Sequence, residues 1–345
     1  MKIDNFTLDE GKIFIIAELS ANHGNNIGIA KETIKAAARA GADAIKLQTY
    51  TADTITLNSH NEYFTIKQDT IWDGKNLYDL YKDASLPWEW HKELMQTAKD
   101  EGLICFSSPF DISAVDFLEE LNVPAYKVAS FEITDIPLIK YMASKQKPII
   151  ISTGIATLED IELAVKTCKS VGNNQIILLK CTSAYPADPR EMNLLTMNDL
   201  AKRFNVLSGL SDHTLGITAP IVATSLGAVM IEKHFMLDSS VGGADASFSL
   251  DEKAFTQMVN AVRETEQLLG NVTYELSQKS LRSREFSRSL FVAEDISKGE
   301  MFNSKNIRSV RPGFGLHPKY LKNILGKRST KDLKEATPLR LEDVE

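Results

Sequence analysis

The sequence predicts an α/β fold, a parallel (β/α)8 TIM barrel followed by a small C-terminal β-rich domain, on three observations. Eight short apolar runs rich in β-branched residues occur between Ile13 and Phe235. Amphipathic segments of helical period separate them. Beyond Leu269 the pattern changes to short strands and turns. Continuous apolar strands divided by helices belong to a parallel sheet covered on its outer face, and eight of them close more readily than they stay open. A doubly wound open sheet is the competing arrangement.

In chain order the runs are IFIIAE from Ile13, AIKLQ from Ala44, LICFSSP from Leu103, AYKVAS from Ala125, PIIIST from Pro148, IILLKC from Ile176, VLSGLSD from Val206 and MIEKHF from Met230. Helical segments run over Ile29 to Ala40, Pro87 to Asp100, Leu158 to Val171 and Ile217 to Leu226, each opened or closed by Gly, Pro, Asp or Thr. The stretch from Thr49 to Leu86 holds no clear strand and is expected to be a long loop over the barrel mouth, a lid or substrate wall. Its aromatics Tyr63, Phe64, Trp72, Tyr78 and Tyr81 are expected to form that loop's own core. A last helix, Lys253 to Leu269, completes the barrel. The expected division is a catalytic barrel over 1–270, a polar linker over 271–284 and the small domain over 285–345.

Bulk properties narrow the class. With 43% hydrophobic and 25% charged residues in 345, a sizeable core is available. A net charge of −7 argues against nucleic acid or an anionic membrane as partner, because both demand a basic face, so an anionic substrate must meet local positive charge. Cys105, Cys168 and Cys181 are too few and scattered for a disulfide framework or zinc knuckle, which suits a reducing cytoplasm. Met1 to Lys12 has no apolar targeting region, and no run approaches the ~18 apolar residues of a membrane span.

In a βα barrel, function collects at the C-terminal ends of the strands, and every run here ends in polar residues. The first ends in Glu18; the second offers Lys46 and Gln48, two apart and hence on one face. Then come Ser107 and Ser108, Lys127 with Ser130 and Glu132, Ser152 with Thr153, and Lys180 with Thr182, Ser183 and Tyr185. The last two runs carry Ser211, Asp212 and His213, and Glu232, Lys233 and His234. A barrel core would place Val, Ile or Leu there, and a buried lysine without a role costs on the order of several kcal/mol. Lysines and hydroxyls converging on one mouth are donors for phosphate and carboxylate, so the expected ligand is a small dianion or trianion.

His213 and His234, at equivalent depth on adjacent strands with Glu232 and Asp212 alongside, read as ligands of one divalent ion. Either histidine alone reads as an ordinary hydrogen-bonded barrel residue. Two protein ligands leave positions open for Lewis-acid chemistry, and the carboxylates favour Mn²⁺ or Mg²⁺ over a closed structural zinc. His91 reads as structural, and His23 equally as loop packing or mouth chemistry; His60 and His317 carry no assignment.

The motifs AELSANHG, KLQTY, SSPFD, KVASFE, STG, KCTSAYP, GLSDH, EKHF and finally SVRPGFGLHP together resemble, in order and over nearly the whole chain, the sialic-acid synthase family of nonulosonic-acid synthases. The first and last are closest to its pseudaminic-acid branch. The resemblance implies a barrel joined to an antifreeze-protein-like (SAF) domain, in a domain-swapped homodimer where each small domain caps the partner's active site. It implies condensation of phosphoenolpyruvate with an open-chain acetamido-sugar aldehyde and water, releasing phosphate by C–O cleavage. For the pseudaminic branch the sugar is 2,4-diacetamido-2,4,6-trideoxy-L-altrose. A divalent ion at His213 and His234, Mn²⁺, Mg²⁺ or Co²⁺, would polarise the aldehyde.

By motif match, Lys46, Ser108, Lys127, Ser130, Ser152, Ser183 and Ser211 would hold phosphoenolpyruvate, and Glu18 would be the acid-base group. Gln48, Glu132, Tyr185 and Asp245 would hold the sugar; Arg311 would reach its acetamido group from the partner, with Phe286 lining that pocket. Ser108 stands where the family usually has Thr, and Ser183 where it usually has Asn; both keep a polar group. N-acetylneuraminate or legionaminate synthesis are alternatives inside the family. Outside it stands a metal-free Schiff-base aldolase using Lys46, Lys127 or Lys180. A non-catalytic sugar-binding barrel is the third reading, against which Glu18, Lys46, Lys127, His213 and His234 all speak.

Overall fold

The apolar runs are buried on both faces because each supplies two cores at once, one inside a closed sheet and one under its helices. In the computed structural model, which describes residues 1–8, 10–67, 72–238 and 245–345, the strands are β1 Phe14–Glu18, β2 Ala44–Thr49, β3 Ile104–Pro109, β4 Tyr126–Val128, β5 Ile149–Ser152, β6 Ile176–Cys181, β7 Leu207–Asp212 and β8 Met230–His234. They form a closed parallel barrel in which β8 returns to β1, with Met230 beside Phe14 and His234 beside Glu18. The open doubly wound sheet is thereby excluded. Inside the lower half, Phe14, Ile16, Ile104, Phe106, Ile150 and Ile177 make one apolar cluster. On the outer face Ile15, Ala17, Ile45 and Leu47 pack with residues of the helices Ile27–Arg39 and Glu252–Leu269.

A short antiparallel hairpin, Lys2–Ile3 with Phe6–Thr7, precedes the barrel. Its Ile3 and Leu8 join the inner cluster, and the Phe6 ring lies 4.7 Å from that of Phe14, so it plugs the bottom of the barrel. Two-residue strands are too short to show an alternation, which is why the sequence does not announce them.

Among its described residues, the stretch after β2 contains two short helices, Ala52–Ile55 and Leu77–Ala84, and a 3₁₀ turn, Glu62–Phe64. The His23 ring is buried edge-on to Trp90 and its Nε2 lies 3.3 Å from the Ala84 carbonyl, so it fastens the end of this stretch to the turn after β1. His91 is held by the Thr49 hydroxyl at 2.8 Å, and burial pushes it down to about 4, outweighing hydrogen bonds to backbone carbonyls. Both are packing residues.

The chain divides into two compact units, Met1–Gly270 and Asn271–Glu345. In the second, β9 Ser289–Val292 pairs antiparallel with β10 Ile307–Val310, and isolated bridges such as Ile296 to Leu333 complete the framework. Leu290, Val292, Ile296, Phe302, Ile307 and Leu339 form its core. Residues 271–288 are exposed throughout and include a short helix, Gln278–Ser283, capped by Ser277. Among the described residues no helix is long and apolar enough to cross a membrane.

Candidate active site

Strand alternation decides which polar residues share the barrel interior. Above the apolar layer of Phe14, Ile16, Ala44, Ile150 and Met230, the next inward positions are Glu18, Lys46, Ser152 and Glu232, joined by Lys127, Ser211 and His234. With Gln48, Ser130, Glu132, Ser183, Tyr185, His213 and Asp245 they line a cavity of about 660 Å³ at the strand C-termini.

The same alternation turns four expected mouth residues outward. Lys180 donates to the Cys181 carbonyl at 2.6 Å and to Thr182 at 3.2 Å and does not line the cavity, so it is removed as an aldolase lysine. Lys233 and Asp212 form a fully buried ion pair at 2.6 Å outside the barrel interior. Lys233 also donates to the Thr214 carbonyl, which makes the pair a brace for the loop after β7. Asp212 is therefore not beside the histidines. Ser107 likewise turns outward, to Thr49.

Two lysines and two acids fill the floor. Lys46 Nζ lies 3.0 Å from Glu18 and 2.9 Å from Glu232. Lys127 Nζ lies 3.6 Å from Glu232 and donates to Ser152 Oγ at 2.6 Å and to its neighbour's carbonyl at 3.1 Å. Ser211 donates to Glu232 at 3.0 Å. Burial opposes ionisation of both acids, but Lys46, His234 and Lys127 around Glu18, and Lys127 and Lys46 around Glu232, hold the carboxyls below the usual range. Lys46, against the same burial, is raised by its two carboxylates, whereas burial wins at Lys127 and lowers it. Among the described residues, Glu232 Oε2 and the buried Ser108 hydroxyl have no hydrogen-bond partner. Ser108 lies opposite Gln48 in the sheet but does not line the cavity.

Beside the lysines, Gly154 N–H donates to Ser130 Oγ at 3.1 Å. A Cβ at Gly154 would fall 2.1 Å from Ser183 Oγ and 2.8 Å from Ser130 Oγ, so the glycine lets two hydroxyls crowd against its backbone. With Lys127 and Ser152 this is a cradle of donors suited to a phosphate.

The His213 and His234 rings lie 5.2 Å apart between centroids. His213 Nδ1 is 2.9 Å from the Thr182 carbonyl and donates there, so Nε2 is the nitrogen a metal would take once it displaces the second ring proton, which Cys181, against burial, holds up to about 9. His234 Nε2 is 3.2 Å from Glu18, and its buried Nδ1, 3.7 Å from Asp245, has no hydrogen-bond partner among the described residues. The acids beside the pair are thus Glu18 and Asp245, while the expected Glu232 is engaged by the lysines. Among the described residues no group of three or more His, Cys, Asp or Glu side chains is arranged to hold a metal. Two imidazoles, one pre-oriented by a carbonyl and one with an orphaned nitrogen, are a donor set that fits a divalent ion keeping open positions.

On the other side of the cavity, Gln48 Nε2 donates to Glu18 at 2.9 Å. The Tyr185 ring lies tilted against those of His213 and Trp72, at 4.5 Å and 5.7 Å between centroids. Burial pushes the Glu132 carboxyl up to about 7 against the nearby Lys127, and its Oε2 has no hydrogen-bond partner among the described residues. Tyr63, Trp72 and Tyr81 line the cavity instead of serving only as the core of their own stretch, so that stretch is a wall of the site. Ser20 and Cys181 also line it, though neither was singled out from the sequence. Cys181 shares the inward face with Leu179, and alternation alone could have found it. Phe286 and Arg311 are exposed residues of the second unit.

Comparison with known proteins agrees with this architecture. Residues 33–274 match the NeuB family and residues 287–345 match the SAF domain. The chain is 49% identical to pseudaminic acid synthase of Campylobacter jejuni over 99% of both chains. It is 37% identical to N,N'-diacetyllegionaminic acid synthase of Legionella pneumophila, over 96% of this chain and 94% of that one. Among solved structures, the spore coat polysaccharide biosynthesis protein SpsE of Bacillus subtilis superposes with a TM-score of 0.67 at 34% identity, covering 100% of this chain and 99% of that one. A polar barrel mouth built on two lysines and two histidines, carried by a chain that matches over nearly its full length, places this protein in the NeuB family.

Proposed function

We propose that the chain condenses phosphoenolpyruvate with 2,4-diacetamido-2,4,6-trideoxy-L-altrose and water to give pseudaminic acid and phosphate. The observation that carries the sugar assignment is the 49% identity to a pseudaminic acid synthase, against 37% for the legionaminic relative. The site supplies the chemistry. Lys46, Lys127 and the hydroxyls of Ser130, Ser152, Ser183 and Ser211, which line the cavity, would hold the phosphate and carboxylate, and Ser108, opposite Gln48 in the sheet, would add a further hydroxyl. Because Glu18 and Glu232 already match the two ammonium charges, an entering trianion needs further positive charge, which a metal ion would provide.

His213 and His234 would hold a divalent ion, Mn²⁺, Mg²⁺ or Co²⁺, whose chemistry is to polarise the sugar aldehyde toward attack by C3 of the enol. Gln48, Glu132, Tyr185 and Asp245 would orient the sugar so that its aldehyde carbon faces that C3 atom. Glu18, held ionised by Lys46, would take a proton from the water that adds at C2 of phosphoenolpyruvate, after which the C2–O bond would break and phosphate leave. Arg311 and Phe286 would complete the sugar pocket from the partner of a domain-swapped homodimer. A soluble cytoplasmic enzyme suits these substrates.

The test is phosphate release from phosphoenolpyruvate with Mn²⁺ and a panel of amino-sugars, with the product identified by mass spectrometry and NMR. Turnover with the L-altro sugar far above the N-acetylmannosamine and legionaminic precursors is expected. Preference for either of the others would reassign the branch. Trapping of a lysine adduct by borohydride, with activity indifferent to EDTA, would replace the synthase by the aldolase.

A further inference from the structure

Ser20 is the residue of the cavity whose backbone least suits its side chain. It follows β1 directly, is buried and lines the cavity, with φ of 47° in the left-handed region that favours glycine. Nothing about the turn itself requires serine there. Leu19 N–H donates to the Lys46 carbonyl and Asn22 N–H to the Leu19 carbonyl, both at 3.1 Å. The Asn22 side chain ties the turn to the Phe235 carbonyl at 3.1 Å and to Ser249 at 2.8 Å. The turn is thus fixed by its neighbours, and a glycine would fit it with less strain.

What the serine adds is its hydroxyl. Ser20 Oγ donates to Asp245 Oδ2 and accepts from Gln48 Nε2 at 3.1 Å. Those contacts close a ring of side chains: Gln48 to Glu18 at 2.9 Å, Glu18 to His234 at 3.2 Å, His234 to Asp245 at 3.7 Å, and Asp245 back through Ser20 to Gln48. Without the hydroxyl, Gln48 and Asp245 lose the atom that joins them, and each can swing into the cavity independently. Non-glycine residues persist in this backbone region chiefly where the surroundings over-determine them, and they cluster at functional sites.

We infer that Ser20 is a positioning residue that sets the orientation of Gln48 and Asp245 and thereby the affinity for the sugar, and not for phosphoenolpyruvate. The inference rests on the proposed reading of Gln48 and Asp245 as sugar-binding residues. The full chain carrying Ser20→Gly or Ser20→Ala is compared with wild type in two measurements: thermal melting without substrates, and KM for each substrate with the other saturating. For Ser20→Gly the melting temperature is expected at or above wild type while the sugar KM rises about tenfold or more, as for loss of a hydrogen bond to a charged group, with the phosphoenolpyruvate KM within about twofold. Ser20→Ala is expected to share the kinetic defect but to melt below Ser20→Gly, since it keeps the strained backbone.

Wild-type kinetics in Ser20→Gly would overturn the inference. So would a fall in melting temperature with both KM values rising together, because that pattern marks a merely structural residue. A wild-type protein that releases no phosphate with any sugar of the panel overturns the proposed function itself, a result separable from kinetically silent Ser20 variants of an active enzyme.

Discussion

Lys46 Nζ lies 2.9 Å from Glu232 Oε1, and neither side chain is more than 3% exposed. Because Lys127 leans on the same carboxylate at 3.6 Å, Glu232 is the counterion for two buried ammonium groups. Glu232→Gln leaves Glu18 as the remaining carboxylate beside Lys46. Breaking a buried pair on one side costs about 3 kcal/mol or more, so the urea midpoint should fall with an unchanged m value. Saturating phosphoenolpyruvate should recover more stability in the variant than in wild type, because the ligand's anionic groups replace the missing charge. Equal ligand-induced shifts in both proteins would show that the ligand does not meet these lysines.

Glu132 gives a pH dependence of known sign. Its folded-state pKa is raised from the usual 4.5 to about 7 by burial, so folding takes up a proton between those values. Stability associated with Glu132 is therefore complete below about 4.5 and is lost as pH rises through about 7. Melting curves across pH 4 to 8 should show this decline in wild type and lack it in Glu132→Gln. Parallel profiles would mean that the carboxyl titrates normally.

The barrel and the polar mouth were legible in the sequence because hydrophobic runs and polar strand ends are local features. Which polar residues face the mouth is a matter of pleat. In MIEKHF, Met230, Glu232 and His234 must share one face, so Lys233 cannot join them, and it pairs with Asp212 on the other. Lys180 fails for the same reason, since Leu179 and Cys181 take the inward positions. The role of Ser20 was not legible, because a left-handed backbone at a serine leaves no compositional trace. The wall helix Leu77–Ala84 carries Leu77, Leu80, Tyr81 and Ala84 at helical spacing and turns that stripe to the cavity, but at eight residues inside a long polar stretch it is too short to stand out by periodicity.

The histidine pair predicts a single metal-binding locus. His213→Ala and His234→Ala should each abolish measurable Mn²⁺ binding by calorimetry or electron paramagnetic resonance, and reduce turnover by roughly a hundredfold or more. Melting temperatures should stay close to wild type, since each ring lies at the cavity and neither belongs to the apolar core. Undiminished Mn²⁺ binding in either variant would move the metal elsewhere.

Gly154 tests the phosphate cradle without removing a donor. In Gly154→Ala the new methyl falls 2.1 Å from Ser183 Oγ and 2.8 Å from Ser130 Oγ, so both hydroxyls must turn away. The phosphoenolpyruvate KM should rise about tenfold or more, as expected when hydrogen bonds to a charged ligand are lost, while the sugar KM changes little. A larger effect on the sugar would place the phosphate elsewhere in the cavity.

Arg311 tests whether the active site is shared between subunits. It is an exposed residue of the second unit, and its proposed partner is the acetamido group of a sugar bound in another copy's barrel. Arg311→Ala should therefore raise the sugar KM far more than the phosphoenolpyruvate KM, since it would contact the sugar alone. Mixing decides between cis and trans. If His213→Ala and Arg311→Ala homodimers exchange subunits at equal concentration, half of the dimers are mixed. In each, one site then combines an intact barrel with an intact Arg311, so about a quarter of wild-type activity should return at limiting sugar. Action in cis predicts no recovery at all, because every barrel would then keep its own defect however the subunits are shuffled.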